Sequence, residues 1–345
     1  MHERNLYLNR IVPFIDKPVI KIITGMRRVG KSCLLKLIIN HLKEKDVAKH
    51  QVVYINKESL EYDFLKNHRD LYEYAKREFN TGNGKKYLFI DEIQEIETWE
   101  KAVNSIFSEG EVDIFITGSN AHLLSSELAT LLSGRFIEFQ IFSLGFKEYI
   151  EFREEKTAGY EKLFQEYLKF GGFPAIHHFN LNEEPIYQYV NAIYDTILLK
   201  DVIKRNNVRN ISLLENLTRY VFDNVGNIFS AKRITDYLKS QKMKVGIETV
   251  QNYLSYLCST YALHKVFRYD LKGKRILELH EKYYLGDIGL RHALLGFRES
   301  DISGVLENIV FLELKRRGYR VTIGKIGNRE IDFIAEKEEK RIYLQ

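Results

Sequence analysis

The stretch from Val19 to Ser32, VIKIITGMRRVGKS, constrains this chain more than any other. A β-branched apolar run (Val19, Ile20, Ile22, Ile23) ends at Thr24. It gives way to Gly25-Met26-Arg27-Arg28-Val29-Gly30-Lys31-Ser32, a full match to G-x-x-x-x-G-K-[ST]. An amphipathic run from Cys33 to Ile39 follows, so the pattern predicts a buried strand, a tight loop and a helix in immediate succession. The glycines let the backbone wrap closely enough for its N–H groups to cradle phosphates, at a helix N-terminus that already favours anions. On this reading Gly25, Met26, Arg27, Arg28, Val29, Gly30, Lys31, Ser32 and Cys33 form the phosphate-binding segment. Lys31 reaches the β- and γ-phosphates, and the Ser32 hydroxyl holds Mg²⁺.

Tyr87-Leu88-Phe89-Ile90-Asp91-Glu92 reads as an apolar strand that delivers two carboxylates at its C-terminal end. Phosphoryl transfer needs the metal held from the side opposite Ser32 and an attacking water held in line. Asp91 suits the first task, as a second metal ligand, and Glu92 the second. A further strand, Val112 to Thr117, leads into Gly118-Ser119-Asn120. There one polar side chain of Thr117, Ser119 and Asn120 is expected to sense the γ-phosphate or position water, Ser119 or Asn120 foremost, with an ordinary polar turn as the alternative. No Asn-Lys-x-Asp string is present to read guanine; Asn56-Lys57-Glu58-Ser59 fails at the aspartate.

Strand and helix patterns alternate from Val19 through Val52–Ile55, Asp70–Phe79, Tyr87–Ile90 and a helix around Trp99 to Phe136–Phe139. This predicts an α/β class: a parallel sheet with helices on both faces and the polar motifs collected at the strands' carboxyl ends. Trp99 is expected to anchor its helix in the core, and Thr81-Gly82-Asn83-Gly84 to form a turn. The expected organisation is a phosphate-loop domain over 1–145, a helical linker or lid over 146–208, a three-helix and hairpin domain over 209–288, and an α+β tail over 289–345. The three helices are Leu213–Val225, Ser230–Ser240 and Ile247–Thr260. The hairpin turns through Asp270-Leu271-Lys272-Gly273-Lys274, and together these elements make a winged-helix arrangement.

Composition excludes more than it identifies. The 345 residues carry 45% hydrophobic and 29% charged residues, those of a soluble globular protein. A net charge of +5 is compatible with nucleic acid without demanding it. There are two cysteines, Cys33 and Cys258, so no disulfide framework is indicated and a cytoplasmic location is expected. The first residues, MHERNLYLNR, lack a signal-peptide core, and no run has transmembrane length, so no membrane partner is expected. His177-His178 lack a carboxylate or cysteine at ligand spacing and read as surface histidines.

These residues resemble the bacterial and archaeal AAA+ ATPases that carry a winged helix and a C-terminal restriction-endonuclease-like domain. The resemblance runs through GMRRVGKS, FIDEIQ, ITGSN and LSGRF (Leu132 to Phe136). It continues in GGFP (Gly171 to Pro174), KYYLGDIGL (Lys282 to Leu290), LENIV (Leu306 to Val310) and REIDF (Arg329 to Phe333). It implies ATP and Mg²⁺ as cofactors, ATP hydrolysis, and coupling of nucleotide state to the later domains. It also implies that Arg135 is either an arginine finger for a neighbouring copy in a homo-oligomer or a structural salt bridge within one copy.

In the winged helix, the recognition segment Gly246–Thr260 is expected to turn Ile247, Val250, Leu254 and Leu257 inward. Glu248, Thr249, Gln251, Asn252 and Ser255 are left outward, with Lys242, Lys244, Arg268, Lys272, Lys274 and Arg275 beside them for DNA phosphates. A protein-docking role is the alternative. The tail resembles a nuclease core through Glu307, Asp332 and Gln345. It departs from the pattern because Gln345 stands at the acidic position and no lysine follows, which predicts a degenerate site and a natural chain that continues further.

Overall fold

The computed structural model describes all residues except 1, 80–83, 122–130, 133, 154–158, 180, 272–274 and 328. It divides into two compact units, Met1–Gly25 with Val29–Ile141, and Met26–Arg28 with Phe142–Gln345.

The first unit opens with α1 (Asn5–Ile11), which stops where Pro13 enters a short 3-10 turn. Then come β1 (Ile20–Thr24), α2 (Lys31–Lys43), β2 (Val52–Asn56), α3 (His68–Glu78), β3 (Lys86–Asp91), α4 (Trp99–Ser108), β4 (Val112–Gly118) and β5 (Phe136–Gln140). The strands form one parallel sheet in the order β2-β3-β4-β1-β5, as the alternating pattern predicts. Register pairs Thr24 with Gly118 and Asn56 with Asp91, so the motif-bearing ends lie along one edge. The core joins Ile20 and Ile22 to Leu88, Ile90, Ile114 and Ile116, with Trp99 and Val103 from α4 packed on them. Each such side chain withdrawn from water contributes about 1.5–3 kcal/mol. Of the expected glycine turn, Thr81, Gly82 and Asn83 lie outside the described residues.

A charged pair is buried in this sheet. Lys21, the second residue of β1, is fully buried and pairs with Asp113 of β4, its ammonium 5.0 Å from the Phe115 ring centre. Asp113 also accepts the Asp16 N–H at 2.8 Å. Burial lowers the Lys21 pKa and raises that of Asp113, each effect opposed by the partner's charge.

The second unit contains α5 (Phe146–Phe152), α6 (Tyr160–Phe170), α7 (Glu183–Thr196) running into a π-helical segment (Ile197–Lys204), and α8 (Ile211–Asp223). It continues with β6 (Ile228–Phe229), α9 (Ala231–Ser240), α10 (Ile247–Ser259), β7 (Leu263–Asp270) and β8 (Arg275–Leu285). Then come α11 (Ile288–Leu295), α12 (Ile302–Arg316), β9 (Arg320–Ile326), β10 (Arg329–Lys337) and β11 (Lys340–Leu344). The hairpin β7–β8 and the tail strands share one sheet, ordered β11-β10-β9-β7-β8-β6, because β9 lies parallel to β7 with Arg268 opposite Ile323. The sequence pattern places hairpin and tail in separate segments, because pairing between distant strands leaves no local signal.

Two distant strings meet in this unit. Asp287, buried, accepts the Gly172 N–H and the Gly289 N–H at 2.8 Å each, through different carboxylate oxygens. Gly171 has φ +77°, and a Cβ there would lie 2.2 Å from Asp287 Oδ1, so the position demands glycine. On α10, Val250, Leu254 and Leu257 are buried as expected, but Ile247 is 44% exposed. As the first helical residue it precedes the turn whose spacing faces the core; Tyr253, not expected inward, is buried in addition. His177 lies in a 3-10 turn with its ring against Tyr149 and Phe152. Among the described residues no helix is long and apolar enough to cross a membrane.

Candidate nucleotide site

β1 is buried at every residue, which fixes Thr24 as the point where the chain leaves the sheet. Gly25 then takes φ +144°, and a Cβ on it would sit 2.2 Å from the Ile141 carbonyl oxygen, so no side chain fits. Gly30 caps α2 with φ +100° and no side-chain cap, so the side chains leave the first-turn N–H groups uncapped. Lys31 is buried and its Nζ donates to the Gly25 carbonyl at 3.0 Å, folding the side chain back over the loop. Ser32 is half-buried beside it, and Cys33 is exposed. Arg4 donates to the Val29 carbonyl at 2.7 Å and steadies the loop from α1's side. Arg27 and Arg28 are placed with the second unit. Within that unit Arg27 donates to both oxygens of Asp201, at 2.6 and 3.0 Å.

Asp91 ends β3 and is 2% exposed. Glu92 turns out of the strand with a left-handed backbone, φ +57°, a conformation that costs energy in a non-glycine residue. Thr117, at the end of β4, ties the two together: its hydroxyl donates to Asp91 Oδ1 at 2.5 Å and accepts the Glu92 N–H at 3.0 Å. Tyr54 of β2 donates to the other Asp91 oxygen at 3.2 Å. The Glu92 carboxylate accepts from Ser119 at 3.1 Å and from Gln94, and lies 3.6 Å from Lys31 Nζ. Asn120 is buried at the β4 exit. Burial, reinforced by the Asp91 charge and hydrogen bond, pushes the Tyr54 phenol well above its usual range.

Thus Lys31, Glu92 and Ser119 meet directly, and Asp91 joins them through Thr117. Arg135 does not join them. Its carbonyl accepts the N–H of Ile20, at the start of β1, so it stands at the opposite end of the strands from the phosphate loop. Its side chain is exposed against Phe107 and Ser108, with no carboxylate at ion-pair distance among the described residues. Tyr54, Arg4 and the bridging by Thr117 carry no local sequence signal, because each acts on a residue distant in the chain. The donor set fits a magnesium nucleotide: an ammonium and glycine-rich loop for phosphate, and hard hydroxyl and carboxylate oxygens for the cation.

The tail residues are arranged differently. Glu307 on α12 accepts from Lys282 at 2.8 Å and Tyr284 at 2.5 Å, and Lys282 also lies 2.7 Å from Glu330. Burial alone would lower the Lys282 pKa, but the two carboxylates outweigh it and raise it. Gln345 comes within 3.5 Å of Asp332. Among the described residues no three His, Cys, Asp or Glu side chains converge on a metal position. Of the basic residues expected to meet phosphates, Lys272 and Lys274 lie outside the described residues, and Arg268 faces Glu330 at 3.7 Å.

Fold and site together define a P-loop α/β unit. Residues 17–150 match a family model described as an AAA domain, and residues 161–301 one described as a domain of unknown function. The chain is 38% identical over 348 residues to an uncharacterized protein of Haemophilus influenzae, covering 100% of this chain and 86% of that protein. It is 35% identical over 342 residues to an uncharacterized protein of Methanocaldococcus jannaschii, covering 94% of this chain and 73% of that one. The chain belongs to the family of these relatives, with an AAA domain in its N-terminal part. Among solved structures it is similar to the Aeropyrum pernix ORC1 protein in complex with DNA, at 12% identity and TM-score 0.38, covering 85% of this chain and 92% of that one. A DNA polymerase III gamma subunit-related protein of Thermotoga maritima is similar at 14% identity and TM-score 0.33, covering 74% and 97%.

Proposed function

We propose that this chain is a Mg²⁺-dependent ATPase whose nucleotide state governs a winged-helix and nuclease-like region that docks on DNA. The observation that carries the ATPase reading is the convergence of Lys31, Glu92 and Ser119 beside an Asp91 held by Thr117. Lys31 and the loop N–H groups from Gly25 to Cys33 bind the phosphates, and Ser32 and Asp91 hold the metal. A bound Mg²⁺ would neutralise charge on the β- and γ-phosphate oxygens. Glu92 orients the water that attacks the γ-phosphorus, yielding ADP and inorganic phosphate, while Ser119 and Asn120 sense that phosphate. Arg135, on the far end of the strands, serves the site of a neighbouring copy. DNA contact is assigned to Gln251 and Asn252, exposed on α10, with Lys242 and Lys244 exposed nearby. The tail's role is structural, since Lys282 occupies Glu307 and Glu330.

A second reading, a nucleotide-gated docking switch with little turnover, is favoured by the bonds that hold Glu92 to Ser119 and Lys31. ATP hydrolysis measured with Mg²⁺, alone and with duplex or single-stranded DNA, decides between them. Turnover that falls about 10²–10⁴-fold in Glu92→Gln supports the ATPase. Tight binding with equal, negligible turnover in both forms supports the switch. DNA that neither binds at low salt nor changes turnover removes the DNA assignment.

A further inference from the structure

We infer that Tyr54 is a positioning residue for Asp91: its phenol fixes the direction in which that carboxylate is offered to the metal of a magnesium nucleotide. The inference rests on the nucleotide reading above and adds to it a residue outside every motif. Tyr54 lies two positions before Asn56 on β2, and Asn56 is the register partner of Asp91. Side chains two apart on a strand leave the same face, so Tyr54 and Asp91 emerge together while Val53 and Ile55 enter the core on the other side.

A carboxylate at the end of a strand turns freely about its last torsion, whose minima are broad. Here it is held at both oxygens, Oδ1 by Thr117 at 2.5 Å and Oδ2 by Tyr54 at 3.2 Å. Rotation breaks both bonds. Hydrogen-bonding partners of metal ligands typically change metal affinity 10–100-fold when removed. Tyr54 is half-buried, so Tyr54→Phe deletes the donor and keeps the ring.

The test is binding, read without turnover. A fluorescent non-hydrolysable ATP analogue is titrated into the full chain in EDTA and then across a Mg²⁺ series, with Mn²⁺ binding followed by electron paramagnetic resonance. We expect Tyr54→Phe to match wild type in EDTA and to need roughly tenfold more metal for half-maximal tightening. An unchanged metal midpoint overturns the inference, as does an equal loss with and without metal, which marks a merely structural role. Wild type that binds the analogue equally with and without metal overturns the magnesium-nucleotide reading, and this inference with it.

Discussion

Lys31 Nζ and Glu92 Oε1 stand 3.6 Å apart, both buried, each holding the charge the other needs. The residue proposed to grip phosphate and the residue proposed to orient water are thus linked to each other. Lys31→Ala removes a cation and two charge-assisted interactions of about 1.5 kcal/mol each, which predicts ATP binding about 100-fold weaker. Glu92→Gln keeps the shape and is expected to bind ATP as tightly as wild type. Equilibrium titration with labelled ATP checks both.

Arg135 stands at the wrong end of the strands to reach its own phosphate loop. If it acts on a neighbour, Arg135→Ala keeps ATP affinity while turnover falls about 10³-fold. Mixing Arg135→Ala with Glu92→Gln copies then restores part of the activity, because one intact arginine meets one intact glutamate. Two inactive proteins that remain inactive on mixing would end the oligomeric assignment.

The Lys21–Asp113 pair is buried between β1 and β4, with the Asp16 N–H and the Lys17 carbonyl as its further partners. Lys21→Met alone strands a buried carboxylate and is expected to cost about 3–5 kcal/mol, whereas Lys21→Met with Asp113→Leu recovers most of that. Urea denaturation of the two singles and the double closes the cycle.

Asp287 carries a pH signature. Burial pushes its carboxyl up to about 6 from a usual value of 3.8. Between those values the folded state keeps a proton that the unfolded state has lost. Its contribution is therefore full below the unfolded value and is lost as pH rises through the folded one. Asp287→Asn sets an amide N–H against the N–H of Gly172 or Gly289, an expected cost of about 1–3 kcal/mol. The gap between wild type and variant should widen as pH falls from 7 toward 4. Denaturant midpoints of both proteins at several pH values measure it.

Local pattern was enough for the phosphate loop, the parallel sheet and the Asp91–Glu92 pair. In each case the chemistry is written in consecutive residues: glycines where the backbone must turn sharply, an apolar run where a strand is buried, carboxylates where it ends. What the sequence left open involves partners far apart along the chain. Tyr54 reaches Asp91, Thr117 bridges Asp91 and Glu92, Lys21 finds Asp113, and Asp287 gathers the backbone of Gly172 and Gly289. The joining of hairpin and tail into one sheet, through Arg268 opposite Ile323, is of the same kind. A buried polar group needs a partner but does not say which, since desolvation penalises every unpaired donor or acceptor alike. Only the packing of strands and helices in three dimensions selects the group that meets it.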